Sequence, residues 1–427
     1  MTQPCTLDSI RVDYPAPPHV PKDRLVDLRF AMGSQPNDLV DPYEPFGWLA
    51  GADIPRLLFN PPPPGGAGEG LAAMGSGKGT WIVTHYEDID RVYTDNDHFS
   101  NKGAAEFQRI IGETFRSIPL GVDPPDHAKY RHFLMPFFGP SRLNKMEGEI
   151  RALVSGMIDE FADKGEVDVA WDFGRVYPVR IFMGLMGFPP AMFEQFLDWE
   201  WDILHSYSFD KMGAALRGVL DFLRGFIREK EAQPDDHLVS SIVHGRINGE
   251  PLTEEEKIGI VWFLWLGGLD TVAATISQMF RRMALQPEIQ DELRAHPDRI
   301  QTAVEEFLRT QPILSSARTA KQDFEWHGLQ IKQGDGFQCF NPGGNFDPAR
   351  FDDPRTFDMT RKPNRHMTFI AGVHLCLGAP LARRELRILL DEWFKRIPAF
   401  RVKPGTDTTV FPGLLSIRNL PLVWEVS

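Results

Sequence analysis

From residue 86 to residue 311 apolar side chains return every three or four positions, interrupted only by short polar gaps and by glycine or proline. That period is the mark of amphipathic helices. It predicts helices over roughly 86–95, 125–137, 141–163, 174–186, 190–206, 210–230, 236–244, 253–285, 288–296 and 298–311, with one more over 379–396. Strand-like alternation is short and rare, at 81–84, 324–332, 336–340 and in the tail near 400–425. Before residue 80 the chain is rich in proline and glycine, with short helices expected at 24–31 and 42–50. The pattern predicts a mostly α fold with a small β region. An irregular N-terminal segment, 1–80, is expected to pack on a main domain, 81–427, as one structural domain overall.

The helix predicted over 253–285 departs most from the ordinary amphipathic stripe. Thr253 and Glu256 have capping-box spacing, Pro287 follows the end, and the middle is apolar on nearly all sides, so it should be buried. Within that middle stand Gly267 and Gly268, each costing roughly 1 kcal/mol against alanine, then Asp270 and Thr271. One reading is tight helix packing at the glycines with Asp270 ion-paired elsewhere. The other is a groove for a flat or small ligand beside a proton-handling acid and hydroxyl. A buried carboxylate needs a partner or a raised pKa in either case.

The stretch "FIAGVHLCLGAPLARREL", 369–386, sets Cys376 between Gly372 and Gly378, just ahead of a predicted helix N-terminus. Such a position favours a thiolate. Zinc would want several Cys or His ligands at short spacing, and only His374 is near. An axial haem ligand, a catalytic cysteine with His374 as base, and a buried structural thiol all remain open on spacing alone.

Composition narrows the setting. A formal net charge of −13 over 427 residues argues against broad nucleic-acid or anionic-membrane binding. Cys5, Cys339 and Cys376 are too few and too odd for a disulfide framework, which suits a reducing cytoplasm. No signal peptide is expected from the first residues. The longest apolar run, "IGIVWFLWLGGL", is too short to span a bilayer. "GSGKGT" (75–80) fails as a phosphate loop: the leading glycine is absent, Gly79 replaces the hydroxyl residue, and strand-like "WIVTH" follows.

Phe369, Gly372, His374, Cys376 and Gly378 together resemble the cysteine-ligand loop of the cytochrome P-450 haem-thiolate monooxygenases. "GGLDT" (267–271) resembles that family's oxygen-binding helix motif, and "EFLR" (306–309) its E-x-x-R. "PPHVP", "PVRIFMGLMGFP", "LARRE", "RIPAF" and "LPLVWE" are most similar to the bacterial camphor hydroxylase group, so the likeness covers nearly the whole chain. The resemblance implies a single-domain cytochrome P-450 fold with haem b (iron protoporphyrin IX) buried between the Gly-Gly helix and the cysteine loop. It implies Cys376 as axial iron ligand, Phe369, Gly267 and Gly268 beside the haem, and His127, Arg131, Arg318 and His366 at its propionates. Glu306 and Arg309 would brace the thiolate side. Two departures stand out: Ile370, where the family favours glycine or a small or polar residue, and Phe346, where many relatives carry arginine.

The implied reaction is monooxygenation, with Asp270 relaying protons and Thr271 ordering water. Phe115 aligns with the tyrosine that hydrogen-bonds the camphor carbonyl, and it has no hydroxyl. The other aligned wall positions, Leu120, Phe263, Leu266, Leu314, Leu414 and Leu415, are all apolar. A site that has lost its donor loses discrimination for the polar group. A compact hydrophobic substrate such as a terpenoid or norisoprenoid is therefore expected in place of camphor. Electrons must come from outside, because the chain has no flavin or nicotinamide fingerprint. The resemblance implies a two-iron ferredoxin, a flavoprotein NAD(P)H reductase and dioxygen. A non-catalytic haem-based ligand sensor is the alternative, and it would not need the Asp270–Thr271 pair.

Overall fold

A computed structural model describes residues 7–28, 49–51, 53–62, 79–206, 208–408, 410–411 and 414–426. Cys5, most of the glycine-rich stretch and most of the helix expected at 42–50 lie outside the described residues. The helix expected at 24–31 is not formed where the chain is described. A short 3-10 turn, Lys22–Arg24, leads into bridges from Leu25 to Phe59 and from Val26 to Arg11.

Two compact units divide the chain, each discontinuous in sequence. The first gathers Met1–Asn101, Ser277–Cys376 and Pro404–Leu420; the second gathers Lys102–Ile276, Leu377–Lys403 and Pro421–Ser427. The division does not fall at residue 80, because Leu57–Asn60 and Thr80–Val83 are neighbouring antiparallel strands.

In the first unit those strands belong to a five-stranded sheet, continued by Gly336–Cys339, Ser316–Ala320 and Phe99–Ser100. Phe59, Trp81, Phe99 and Phe337 form its core, with edge-to-face ring contacts of 5.0 Å between Phe59 and Trp81 and 5.1 Å between Phe99 and Phe337. The same unit holds the helix Ile300–Thr310, which carries Glu306 and Arg309. Their side chains are 0% exposed, so this is no surface i,i+3 pair. Arg309 grips both Glu306 oxygens (2.8 and 2.7 Å) and spends its remaining N–H groups on the carbonyls of Asn345, Pro354 and Thr356. Glu306 also accepts from the Asp358 amide and from Asn364 Nδ2, each at 3.0 Å, and from Arg361 at 3.2 Å. The Phe346 and Phe351 rings lie 5.6 and 5.2 Å from the guanidinium. Phe346 thus offers Arg309 a π face where an arginine would bring a second cation.

The second unit is mainly helical. Helices Pro140–Asp159, Val176–Met186, Phe193–Leu204, Phe209–Ala232, Glu254–Gly268 and Ala379–Arg396 surround a core of Phe161, Phe173, Phe196, Trp265 and Trp393. Glu147 lies between Arg384 (3.1 Å) and Arg387 (2.9 Å), fastening Ala379–Arg396 to Pro140–Asp159. The expected helix at 174–186 starts at Val176 after a π turn, Val169–Gly174, whose first amides are capped by Asp168. A small sheet of Phe400–Val402, Pro421–Trp424 and Glu166–Asp168 closes the unit.

The expected single helix over 253–285 is interrupted. It runs Glu254–Gly268, breaks at residues 269–270, and resumes as Thr271–Leu285. The capping box at Thr253 and Glu256 is formed as expected. By length and hydropathy the whole Glu254–Leu285 stretch could span a bilayer, which its apolar run alone did not suggest; 67% of its most apolar window is buried inside the protein.

Ile370 adopts φ of +56°, the left-handed region. That conformation explains why a glycine is favoured there, since a β-branched residue carries roughly 1–2 kcal/mol of strain. The side chain packs, partly buried, on the sheet core, a gain of similar size. Replacing Ile370 by glycine should therefore shift stability in a denaturant melt by less than about 1 kcal/mol. A loss above about 3 kcal/mol would show that packing outweighs strain. Arg309→Leu should cost about 3–5 kcal/mol by stranding the Glu306 charge. Arg309→Lys should recover little of it, because an ammonium cannot make the paired bonds; a lysine variant that melts with the native protein would remove the fork geometry from this account.

Candidate functional site

In the first unit the chain around Cys376 folds into a closed turn. The Ile370 amide bonds the Met367 carbonyl (2.8 Å), Leu375 bonds Gly372 (3.1 Å), and the Cys376 amide returns to the Phe369 carbonyl (3.0 Å). Gly372 is required here: its φ is +70°, and a Cβ would come within 2.5 Å of the Tyr93 carbonyl oxygen. The buried arginine node holds the turn from behind. Asn345, whose carbonyl Arg309 grips, accepts from the Met367 amide (2.7 Å) and donates to Thr368 Oγ1 (3.0 Å). Thr368 in turn donates to the Leu308 carbonyl at 2.6 Å. The bracing implied for Glu306 and Arg309 thus has a continuous hydrogen-bonded route to the turn. Of the two described cysteines, Cys339 is fully buried, and burial pushes its thiol up to about 12; Cys376 is only partly buried.

Apolar side chains of this unit differ in exposure. Leu375 is 45% and Leu314 41% exposed. Leu414 is half-buried, and Leu415 is buried with φ of +47°. Arg318, on Ser316–Ala320, is buried with its guanidinium 4.9 Å from the Tyr93 ring and donates to Ser316 Oγ (3.0 Å) and the Ala317 carbonyl (2.7 Å). His366 lies 6.0 Å from the Phe369 ring, accepts from the Thr368 amide (3.3 Å) and faces Glu305 (3.2 Å).

In the second unit the two glycines of the interrupted helix separate in role. A Cβ on Gly268 would collide with the Phe182 ring, so that glycine serves close packing. Gly267 would meet nothing within 4 Å and is exposed. The packing reading thus applies to Gly268, and Gly267 has open space beside it. Between 257 and 276 the helix is buried except at Phe263, Leu266, Gly267, Gly268, Thr271 and residue 272. Phe263 and Gly267 stand four apart on Glu254–Gly268, and the Thr271 hydroxyl reaches the Gly267 carbonyl across the break (3.3 Å), so the opening runs as one stripe. The break beside it has a local cause. Thr271 donates its hydroxyl to the Gly267 carbonyl (3.3 Å), and Thr275 donates to the Thr271 carbonyl (2.8 Å). Side-chain hydroxyls entering the backbone ladder kink helices.

Phe115 is buried and linked to this helix. Gln108 donates to its carbonyl (2.8 Å) and accepts from Trp262 Nε1 (3.1 Å). Leu120 is half-buried. His127 and Arg131 share a face of the helix Asp126–Leu134, which Tyr130 fastens to the capping Glu256 at 2.6 Å. Burial, and then the Arg131 guanidinium, hold His127 below the usual imidazole range. The open stripe suits a flat face laid against Gly267, and the His127–Arg131 face suits acidic groups, whose charge its positive field would stabilise.

Asp270 has partners that the sequence did not reveal. His205 Nε2, at the end of Phe193–Leu204, bonds its Oδ2 at 2.9 Å. The same nitrogen lies 3.2 Å from Glu200 Oε1, and Arg175 lies 3.8 Å from Glu200 Oε2. Burial opposes the His205 charge, but the two carboxylates outweigh it and hold the imidazolium up to about 10. Burial, then the Asp270 charge, push Glu200 up to about 6. The only signal for these residues was that a buried Asp270 would need a counter-charge.

Known proteins resemble this chain in sequence and in fold. The family model for cytochrome P450 matches residues 180–417. The probable cytochrome P450 127A1 of Sinorhizobium fredii is 35% identical over 414 residues, 96% of this chain and 97% of its own. The crystal structure of CYP101J2 is similar with a TM-score of 0.83 at 28% identity, over 97% of this chain and all of that one. That of cytochrome P450 CYP101C1 follows with a TM-score of 0.81 at 29% identity, over 96% and 99%. A family match over more than half of the sequence, and a relative aligned along nearly all of it, place this chain in the cytochrome P450 family of haem b monooxygenases.

Proposed function

We propose that this P450 binds haem b through Cys376 and inserts one oxygen atom of dioxygen into a C–H bond of a compact hydrophobic substrate such as a terpenoid or norisoprenoid. The observation that carries the reading is the stripe through Phe263, Gly267 and Thr271, the opening in an otherwise buried helix. Thiolate-ligated haem supplies electron density that favours O–O cleavage. The protein's part is to hold, orient and deliver. The Phe369–Cys376 turn presents the thiolate, and Gly372 with the Arg309–Asn345 route keeps that turn in one conformation. Arg131, Arg318, His127 and His366 are the residues that would take the propionates, the arginines by charge-assisted bonds. Gly267 leaves room for a flat cofactor, and Gly268 lets the Phe182 ring pack against the helix.

Asp270 and Thr271 are the proton-handling pair. Asp270 sits at the break, where its carbonyl accepts the first ladder bond of the resumed helix from the Ala274 amide (2.9 Å), and its carboxylate is the group that passes protons inward. Thr271 keeps its hydroxyl oxygen available to order water while the hydrogen is directed at the Gly267 carbonyl. The substrate class rests on wall chemistry. Phe115, Leu120, Phe263, Leu266, Leu314, Leu414 and Leu415 offer no side-chain donor, so shape and apolar burial hold the substrate. Electrons are drawn from a two-iron ferredoxin served by a flavoprotein NAD(P)H reductase.

Asp270→Asn should slow turnover by about tenfold or more, since a positioned acid–base group contributes at least that. Thr271→Ala should keep cofactor oxidation running while moving its electrons to hydrogen peroxide, read as product formed per NAD(P)H consumed. Normal rates and tight coupling in both variants would overturn the pair's assignment. Spectral binding titrations should rank a terpene hydrocarbon above camphor, because no donor meets the camphor carbonyl; camphor binding tighter would overturn the substrate reading.

A further inference from the structure

The buried set around Asp270 holds one feature that a simple ion pair does not explain. His205 Nε2 faces two carboxylates, yet only Asp270 has hydrogen-bond geometry with it. Glu200 Oε1 is buried, 3.2 Å away, and takes no hydrogen bond. The Glu200 side chain is 4% exposed and that of His205 6%, so water does not readily substitute. A buried carboxylate oxygen left in that condition is costly unless it is used.

The charged groups facing His205 are Glu200 on its own helix, Asp270 from the helix break and, behind Glu200, Arg175 at the head of Val176–Met186. Two acids, an imidazolium and a guanidinium make a balanced set. A divalent cation among Glu200, His205 and Asp270 would displace the imidazolium proton and leave an excess positive charge in a buried place, so a proton fits the set better than a metal. Trp201 stacks on the His205 ring at 4.8 Å, fixing its plane. The two acceptors differ by 0.3 Å in distance from one nitrogen (3.2 against 2.9 Å), so a small in-plane swing carries the N–H from one to the other.

We propose that His205 and Glu200 are positioning residues for Asp270: one imidazolium N–H alternates between the two acids, holding Asp270 in the helix break when it bonds Asp270 and releasing it when it bonds Glu200. Glu200 is then the standby acceptor, and the fraction of time the N–H spends on it sets the fraction of protein whose Asp270 is free to carry protons. This rests on the reading of Asp270 as the proton carrier. No bond other than a hydrogen bond is exchanged.

The test uses the full chain loaded with haem, in native form and as Glu200→Gln, Glu200→Asp and Asp270→Asn. Histidine-labelled NMR follows the His205 imidazole, assigned by loss of its signal in His205→Gln. The native His205 should remain imidazolium through neutral pH, and its midpoint should fall in both Glu200→Gln and Asp270→Asn but stay high in Glu200→Asp, which keeps the charge. The stability this proton lends is complete below about 6.5 and is lost as pH rises through the folded value. The melting midpoint should therefore decline from pH 7 to 10 in the native protein and less in Asp270→Asn. In turnover, Glu200→Gln should lower kcat by about tenfold with KM nearly unchanged, because the N–H then stays on Asp270.

A Glu200→Gln protein whose His205 midpoint and kcat both match the native would overturn the switch while leaving the Asp270 relay standing. An Asp270→Asn protein with normal kcat would instead overturn the relay itself, even if the His205 midpoint moved. Micromolar Zn2+ that abolished the His205 titration would overturn the switch in favour of a metal site.

Discussion

A guanidinium shut away from water must find an acceptor for each N–H or the fold cannot keep it. Arg309 meets that demand with two Glu306 oxygens and the carbonyls of Asn345, Pro354 and Thr356. Those acceptors belong to separate stretches of chain, so satisfying one side chain fixes the helix Ile300–Thr310, the short helix Asn341–Asn345 and the loop after it at once. Asn345 then reaches Met367 and Thr368, and the turn that ends at Cys376 inherits its position. A buried ion pair is weak evidence for stability, since apolar replacements often serve as well. Its value here is geometric. The pair sets where a loop must go, including a loop that holds Ile370 at a φ its own side chain disfavours.

The second unit solves a different problem, which is how to open a buried helix without losing it. Phe182 against Gly268 keeps the helix tightly packed on one side of the break, and the Thr271 hydroxyl answers the Gly267 carbonyl across it. What results is a stripe open to a ligand beside an acid that cannot stay charged alone. The His205, Glu200 and Arg175 set answers that charge. On the proposed reading, catalytic and structural demands meet on Asp270, and its partners must hold it without disabling it.

Much of this was legible in the chain. Long amphipathic repeats and the Thr253–Glu256 box give helices their ends by local chemistry, and those helices are found close to where the period puts them. The pieces that escaped notice are set at long range. Glu166–Asp168 is three residues long and becomes a strand by pairing with Pro421–Trp424, far along the chain. Leu57–Asn60 likewise exists by pairing with Thr80–Val83 across a stretch whose composition suggests no sheet. The break at 269–270 follows from hydroxyl hydrogen bonds and a Phe182 contact that periodicity cannot encode. For the site, Gly267 and Gly268 were visible but not separable, since only the neighbours of each reveal which is packed and which is open. His205 and Glu200 carry no motif at all. The requirement that a buried Asp270 be paired was readable, but not the partner.

On the proposed reading Cys376, held in its turn by the Arg309 network, ligates haem iron as a thiolate. The difference spectrum of the reduced protein with and without carbon monoxide tests it most directly. A strongly red-shifted Soret band, lost on replacing Cys376 by histidine, is the predicted result. A band typical of histidine or neutral-thiol ligation, or no haem spectrum at all, would contradict the account at its foundation.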